Sequence, residues 1–314
     1  MKIALIDVKG NDNRAINKNS SVNIRNMQEL AKIVNADFIF NAYQLLNNKK
    51  QYTHIVFGFG SISSNINEVI KFSKNQKDIK NVYWLVGEYE QSMNPSLYYF
   101  CKEKKIKYTV IKNYYKQEPK KNQLKEIILN LNLLIAKKQN KLSDKKYDCI
   151  YYSRWRPGRR KYLKEYLKND IYFSSDSKNF KQHKHIGCSP KYIKKLSWEK
   201  GKETLNLFRF SLYIEDEYTH KFYNHLANRF YEALFCNVVQ FFDINCKNTI
   251  EKSGIEFNDY YYVSSYEELI FKMKVAAKDW QAHMNFQSKW NAQALQQREI
   301  LCKNLKGIFE NEIA

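Results

Sequence analysis

Strand-sized apolar runs separated by helix-length segments constrain this chain more than any other feature. In the first half the runs KIALIDV, DFIF, HIVFGFG, NVYWLVGE and KYTVIK alternate with helical patterns over Asn23–Asn35, Ile66–Lys74, Pro95–Lys104 and Asn122–Lys138. Strands spaced by helices of that length build βαβ units around a parallel sheet, so this half is expected to be Rossmann-like. The polar, charged stretch KKQNKLSDKKYD, Lys137 to Asp148, breaks the pattern as a domain linker does. The alternation restarts with DCIYYS, a helix over Arg159–Leu167, IYFSS, a less regular basic stretch to Gly201, LFRFSLYIE, VVQFFD and YYYVSS. Tyr266 to Ile313 carries helix formers and no strand signal, and reads as one or two long helices.

A chain of 314 residues suits two domains of ordinary size. The predicted division is 1–140, 141–279, and a C-terminal helix over 280–314 that packs back across the domain junction. With 44% hydrophobic and 15% aromatic residues, nine Gly and four Pro, the composition is that of a folded protein rather than a disordered one. The longest apolar runs are strand-sized, which predicts no transmembrane segment, and the start of the chain enters KIALIDV without a leader pattern. Six cysteines without a CxxC pair fit buried thiols in a reducing compartment, so a cytoplasmic location is expected. The formal charge of +21 favours a polyanionic partner such as nucleic acid. Its rival reading is a compositional bias toward Lys, Asn, Ile and Tyr spread over solvated faces.

Ligands of open α/β sheets sit beyond the carboxyl ends of the strands. The loop DVKGNDNRAINKNSS holds Asp12 and several donors; FGFGSISSN holds Gly58, Gly60 and Ser61, whose backbone N–H groups suit an anion or a sugar. The latter is neither a Walker loop nor a GxGxxG fingerprint. VGEYEQSMNP sets Glu88 and Glu90 past an apolar strand, where partial desolvation raises a carboxylate toward general-base duty. For each of these loops the alternative is a water-facing surface segment. YYSRWRPGRRKYL places Arg154, Arg156, Arg159 and Arg160 at a helix start, where N–H groups and dipole already favour anions; that surplus of cations points to a phosphate. HKHIGC offers His183, His185 and Cys188 without a fourth ligand, so no metal site is predicted.

The segment THKFYNHLANRFYEALFCNVVQFFD, from Thr219 to Asp243, predicts one helix with His225, Asn228, Arg229 and Glu232 along a polar stripe and Phe222, Leu226, Phe230 and Ala233 along an apolar one. The stripe faces either solvent or a site. Three carboxylates, in SLYIEDEYT, precede it. NRFYEALFCNVVQFFD resembles the sugar-nucleotide motif of GT-B glycosyltransferases, in which an R/K-x-x-E-A-L helix runs to a Gly, a P-V strand and an acidic residue. The family's Gly is Asn237 here, a residue that tolerates the left-handed conformation; its Pro is Gln240.

That resemblance implies an α/β architecture of two Rossmann-like domains facing a cleft, with the N-terminal half as acceptor domain. It implies that Arg229 meets the donor diphosphate, with Glu232 and Asn228 on sugar or ribose hydroxyls and with Ile214, Arg154, Arg156 and Arg159 completing the donor site. The co-substrate would be a nucleotide sugar, a UDP-sugar such as UDP-glucose, with no tightly bound cofactor and a metal not required or only auxiliary. An inverting enzyme would take its base from the N-terminal half, Glu88 first and Asp12 behind it. Charge and the lack of an anchor resemble phage enzymes that glycosylate hydroxymethylated bases in duplex DNA, acting in the host cytoplasm. Basic segments at Lys102–Lys107, Lys112–Lys121 and Arg154–Lys164 would grip phosphates. A surface or lipid-linked glycan is the alternative acceptor, and a non-catalytic nucleic-acid-binding protein of degenerate GT-B fold the second alternative.

Overall fold

The computed structural model describes residues 1–7, 22–40, 42–58, 66–86, 95–113, 125–153, 156–175, 180–182, 187–194, 196, 201–223 and 225–310. The chain divides into two compact units, one of Met1–Leu134 with Glu299–Ala314 and one of Ile135–Arg298.

The first unit is built on strands β1 (Ile3–Ile6), β2 (Asp37–Ile39), β3 (His54–Phe57), β4 (Asn81–Val86), β5 (Lys107–Lys112) and β6 (Lys125–Ile128), in the order β2-β1-β3-β4-β5-β6. Every pairing is parallel. Strands β1, β3 and β4 are buried along their whole length, which is why they read as unbroken apolar runs. Between them run α1 (Val22–Ile33), α2 (Ala42–Asn47), α3 (Ile66–Lys74) and α4 (Pro95–Glu103). Helix α3 shows the local logic: Glu68 stands in its first turn, Lys71 and Lys74 in its last, and Val69 and Phe72 are buried.

The helix expected over Asn122–Lys138 does not form. Its KEII run pairs with β5 as β6, and Leu131–Ile135 makes a 3-10 turn. The outer edge of β5 offers unpaired backbone groups that the run satisfies, and Asn113 Oδ1 accepts the N–H of Leu131 at 2.8 Å to start the turn. Phe309, fully buried in the C-terminal segment, packs on Tyr83 with ring centroids 4.4 Å apart.

The second unit holds β7 (Tyr147–Tyr152), β8 (Ile171–Ser175), β9 (Lys191–Lys194), β10 (Phe208–Tyr213), β11 (Val239–Asp243) and β12 (Tyr262–Val263), in the order β12-β11-β10-β7-β8-β9. All pairings are again parallel. Its helices are α5 (Arg160–Tyr166), α6 (Gly201–Asn206), α7 (Glu217–Phe222), α8 (Asn228–Phe235), α9 (Lys247–Glu251), α10 (Tyr266–Lys278) and the long α11 (Trp280–Glu310), whose last part belongs to the first unit. Strand order reverses between β1 and β3 in one sheet and between β7 and β10 in the other, and these reversals open the crevices where ligands of such sheets bind. No helix among the described residues is long and apolar enough to cross a membrane.

The single helix expected from Thr219 onward is two. Asp216 caps α7 by accepting the N–H of Thr219 at 2.9 Å; the backbone is extended at Tyr223 and Ala227, and α8 begins afresh. The hydroxyl of Tyr213 holds the break open by accepting the N–H of Ala227 at 2.8 Å. His225 therefore lies in the connection rather than on the helical stripe. At the far end of α8, Asn237 takes the left-handed conformation at φ 53°, as the motif's Gly position requires. The linker is docked there: Asn237 Nδ2 donates to Asn140 O at 2.9 Å, and Lys145 Nζ donates to Asn237 O at 2.7 Å and Asn206 O at 2.9 Å. Burial pushes the Lys145 ammonium down to about 8.

Candidate functional site

At the reversal of the second sheet, β7 leads through Ser153 to Arg156 and Arg159, β10 leads into Ile214, Glu215 and Asp216, and the first turn of α8 carries Arg229. Glu215 is the hub. Arg159 Nη2 donates to Glu215 Oε2 at 2.7 Å, and Arg229 Nη2 pairs with Glu215 Oε1. Arg159 also donates to Ser153 Oγ and lies 3.6 Å from Asp216 Oδ2, while Arg156 Nε stands 4.0 Å from the same oxygen. Arg229 is seated from below by the Tyr213 ring, 4.6 Å from its Cζ, and donates from Nη2 to Ile214 O at 2.5 Å. Tyr152 fixes the backbone beneath it, donating its hydroxyl to Arg229 O at 2.8 Å.

Burial sorts the arginines. The side chains of Glu215, Arg159 and Arg229 are 2%, 6% and 12% exposed, whereas that of Arg156 is 41% exposed. Burial alone would raise the Glu215 carboxyl, but Arg229 and Arg159 outweigh it and hold it at about 2. The Arg229 guanidinium is held up by Glu215 against the effect of its own burial. Among the described residues the guanidinium groups of Arg156, Arg159 and Arg229 converge on the carboxylates of Glu215 and Asp216, a concentration of donors suited to an anion. His225, beside the start of α8, is pushed down to about 4 by burial, with Glu215 pulling weakly the other way.

Of the residues expected at the donor site, Arg156, Arg159, Arg229 and Ile214 are thus joined in one network. Asn228 and Glu232 lie on α8 with it; both are buried, so the polar stripe is not a solvated face. Glu232 is near Tyr152, whose phenol burial and then that carboxylate push far up. Arg154, Glu88, Asp12, Gly60 and Ser61 lie outside the described residues, as do His183 and His185. Gly58 follows β3, and a Cβ there would stand 2.7 Å from Asp7 Cβ and Cγ. Asp7, buried after β1 at the reversal of the first sheet, was missed in the sequence; an acidic residue closing the apolar run KIALID was its signal. Cys188 is buried and donates its thiol to Leu163 O at 3.7 Å. Among the described residues no three His, Cys, Asp or Glu side chains cluster closely enough to hold a metal ion.

No family model matches the chain, and no curated protein matches it by sequence. Solved structures do match it. T4 phage beta-glucosyltransferase in complex with UDP and Mn2+ aligns with a TM-score of 0.72 at 18% identity, over 99% of this chain and 100% of that one. The DNA modifying enzyme beta-glucosyltransferase, solved with and without uridine diphosphoglucose, aligns at 0.69 and 17% identity over 97% and 99%. An alpha-glucosyltransferase in complex with UDP-glucose and DNA containing an abasic site aligns at 0.60 and 11% identity over 95% of each chain. At such identities the likeness is one of fold, and the chain has the two-sheet GT-B fold with its C-terminal helix.

Proposed function

We propose that this chain is a glycosyltransferase that moves a sugar, glucose by preference, from a UDP-sugar to a hydroxymethylated pyrimidine base in duplex DNA. The observation that carries the reading is the arginine cluster at the β7/β10 reversal, in a fold shared with proteins solved with UDP and UDP-glucose. Arg156 and Arg229 meet the diphosphate, with Arg154 and Arg159 beside them; Ile214 steadies Arg229 through its carbonyl; Asn228 and Glu232 take the donor's hydroxyls. In the reaction the base's hydroxymethyl oxygen attacks the anomeric carbon, the bond from that carbon to the diphosphate oxygen breaks, and UDP departs with its new charge against the guanidinium groups. The acceptor proton passes to Glu88, or to Asp12 behind it, in an inverting displacement. A divalent ion has at most an auxiliary part, screening the diphosphate. The formal charge of +21 supports a DNA acceptor, gripped through phosphates, with Gly58, Gly60 and Ser61 among the backbone contacts.

The test is to incubate the purified protein with UDP-glucose and other nucleotide sugars, with and without hydroxymethylpyrimidine duplex DNA, and to measure UDP release and sugar on the DNA. Turnover that needs the modified duplex is the expected result. Donor hydrolysis unaffected by DNA would move the acceptor to a glycan, and absence of both hydrolysis and donor binding would overturn the enzymatic reading.

A further inference from the structure

Glu215 has no task in donor binding as described, yet it pairs with two of the arginines that do, Arg159 and Arg229. It enters from the end of β10, Arg159 from the turn after β7 and Arg229 from α8, so one carboxylate ties three elements together. Thr219 Oγ1 also approaches it at 3.4 Å. For folding alone this is a poor choice, because a buried ion pair loses hydration that apolar packing of the same volume would not forfeit. The arginines also keep hydrogen-bond capacity in reserve: among the described residues Arg229 Nε is buried without a hydrogen-bond partner, and Arg159 Nε meets the Asp216 oxygen at 3.6 Å. A carboxylate set between two such guanidinium groups presents them with the same charge and the same planar acceptor geometry as one phosphate of a diphosphate.

We infer that Glu215 is an internal counter-anion that sets the grip of this site on the nucleoside diphosphate. It engages Arg159 and Arg229 before the donor arrives, and its charge stays beside the diphosphate afterwards, so that the product UDP is held loosely enough to leave. The inference rests on the donor-site reading above. Glu215 is in this sense a positioning residue that acts through the arginines and touches no reacting atom.

Glu215→Gln keeps the shape and removes the charge. Titration calorimetry with UDP is expected to show at least about ten-fold tighter binding by this variant, from removal of one like charge within a few ångströms of the diphosphate, together with a lower melting temperature. Steady-state turnover should then show kcat reduced by slow UDP release, and Glu215→Asp should return UDP affinity toward that of the unaltered protein. A purely structural Glu215 predicts the opposite sign, loss of stability with weaker UDP binding; equal or weaker binding by folded Glu215→Gln overturns the inference. If that variant does not fold, the same comparison is made between Arg159→Gln and Arg159→Gln/Glu215→Gln, where loss of the carboxylate leaves one buried guanidinium, that of Arg229, without it rather than two. The double variant must bind UDP tighter than the single one, or the inference fails. Failure of the unaltered protein to bind UDP at millimolar concentration would instead overturn the donor-site reading, so the two failures are distinct.

Discussion

Gln240 and Gln287 exchange two hydrogen bonds: the backbone N–H of Gln240 donates to Gln287 Oε1 at 2.9 Å, and Gln287 Nε2 donates to Gln240 O at 3.0 Å. The Gln240 side chain turns the other way and donates to Phe230 O at 3.0 Å. The residue that departs from the GT-B motif therefore joins β11 to both α8 and α11, and a proline there would lack the N–H that Gln287 accepts. Gln287→Leu should leave a buried N–H and a buried carbonyl unpaired and lower unfolding stability by about 2–4 kcal/mol. Gln240→Pro should likewise destabilise, although it restores the motif. Urea unfolding of the two variants measures both effects; a loss under half a kcal/mol for Gln287→Leu would contradict this account.

Arg156 is the cleanest probe of the proposed donor site, because among the described residues it is the most exposed arginine of the network, with its Nε 4.0 Å from Asp216 Oδ2. Arg156→Ala should change stability by no more than about 1 kcal/mol, as exposed ion pairs do, while weakening UDP binding about ten-fold or more. Arg229→Ala should do both kinds of damage, since it leaves a buried carboxylate short of one partner; a stability loss of about 3–5 kcal/mol is expected. Parallel melting curves and UDP titrations separate the two variants.

Gly58 gives a prediction of the reverse kind, packing without charge. A methyl group there would meet Asp7 Cβ and Cγ at 2.7 Å, inside any real contact distance, and Asp7 is wholly enclosed. Gly58→Ala should destabilise by about 1–3 kcal/mol through strain. Asp7→Gly in the same chain removes the atoms it would strike, so the double variant should recover part of the loss, and its failure to do so would show that the glycine is required for another reason.

The central strands were legible because parallel strands covered on both faces cannot hide their apolar character. The outer strands β6 and β9 were not: KEII and KYIK carry lysine at one or both ends and border polar, basic segments that look like helix or loop. The break between α7 and α8 was equally hidden, since the sequence from Tyr223 to Ala227 keeps helical spacing, whereas the Tyr213 hydroxyl that accepts the N–H of Ala227 comes from a distant strand. At the site, the arginines and Glu232 stood out by their spacing, and Asn237 by its tolerance of positive φ. Glu215 stood in plain view among three carboxylates, but its partners come from elements 56 and 14 residues away, a relation that no local pattern encodes. The polar stretch Lys137 to Asp148 reads as a linker, and its packing is not legible in it: Lys145 and Asn140 use that polarity to close the end of α8.

Among the described residues, two buried groups contribute strongly to the acid response, beside the smaller downward shifts of His220 and His283. His225 is pushed by burial from 6.5 to about 4, and Glu215 is held by its arginines, against its own burial, from 4.5 to about 2. In both cases the unfolded chain binds a proton at a pH where the folded chain does not, so each contribution is complete above the unfolded value and is lost as pH falls toward the folded one. The windows are consecutive: His225 acts from pH 6.5 down to about 4, then Glu215 from 4.5 down to about 2. Stability should therefore decline by up to about 1.4 kcal/mol per pH unit from near pH 6.5, with no plateau between the two titrations. Urea unfolding at steps between pH 7.5 and pH 3 measures the slope. His225→Gln should make the curve shallower above pH 4.5, leaving the part due to His220 and His283, and should leave the lower part intact; a profile unchanged by that substitution would remove His225 from the acid response.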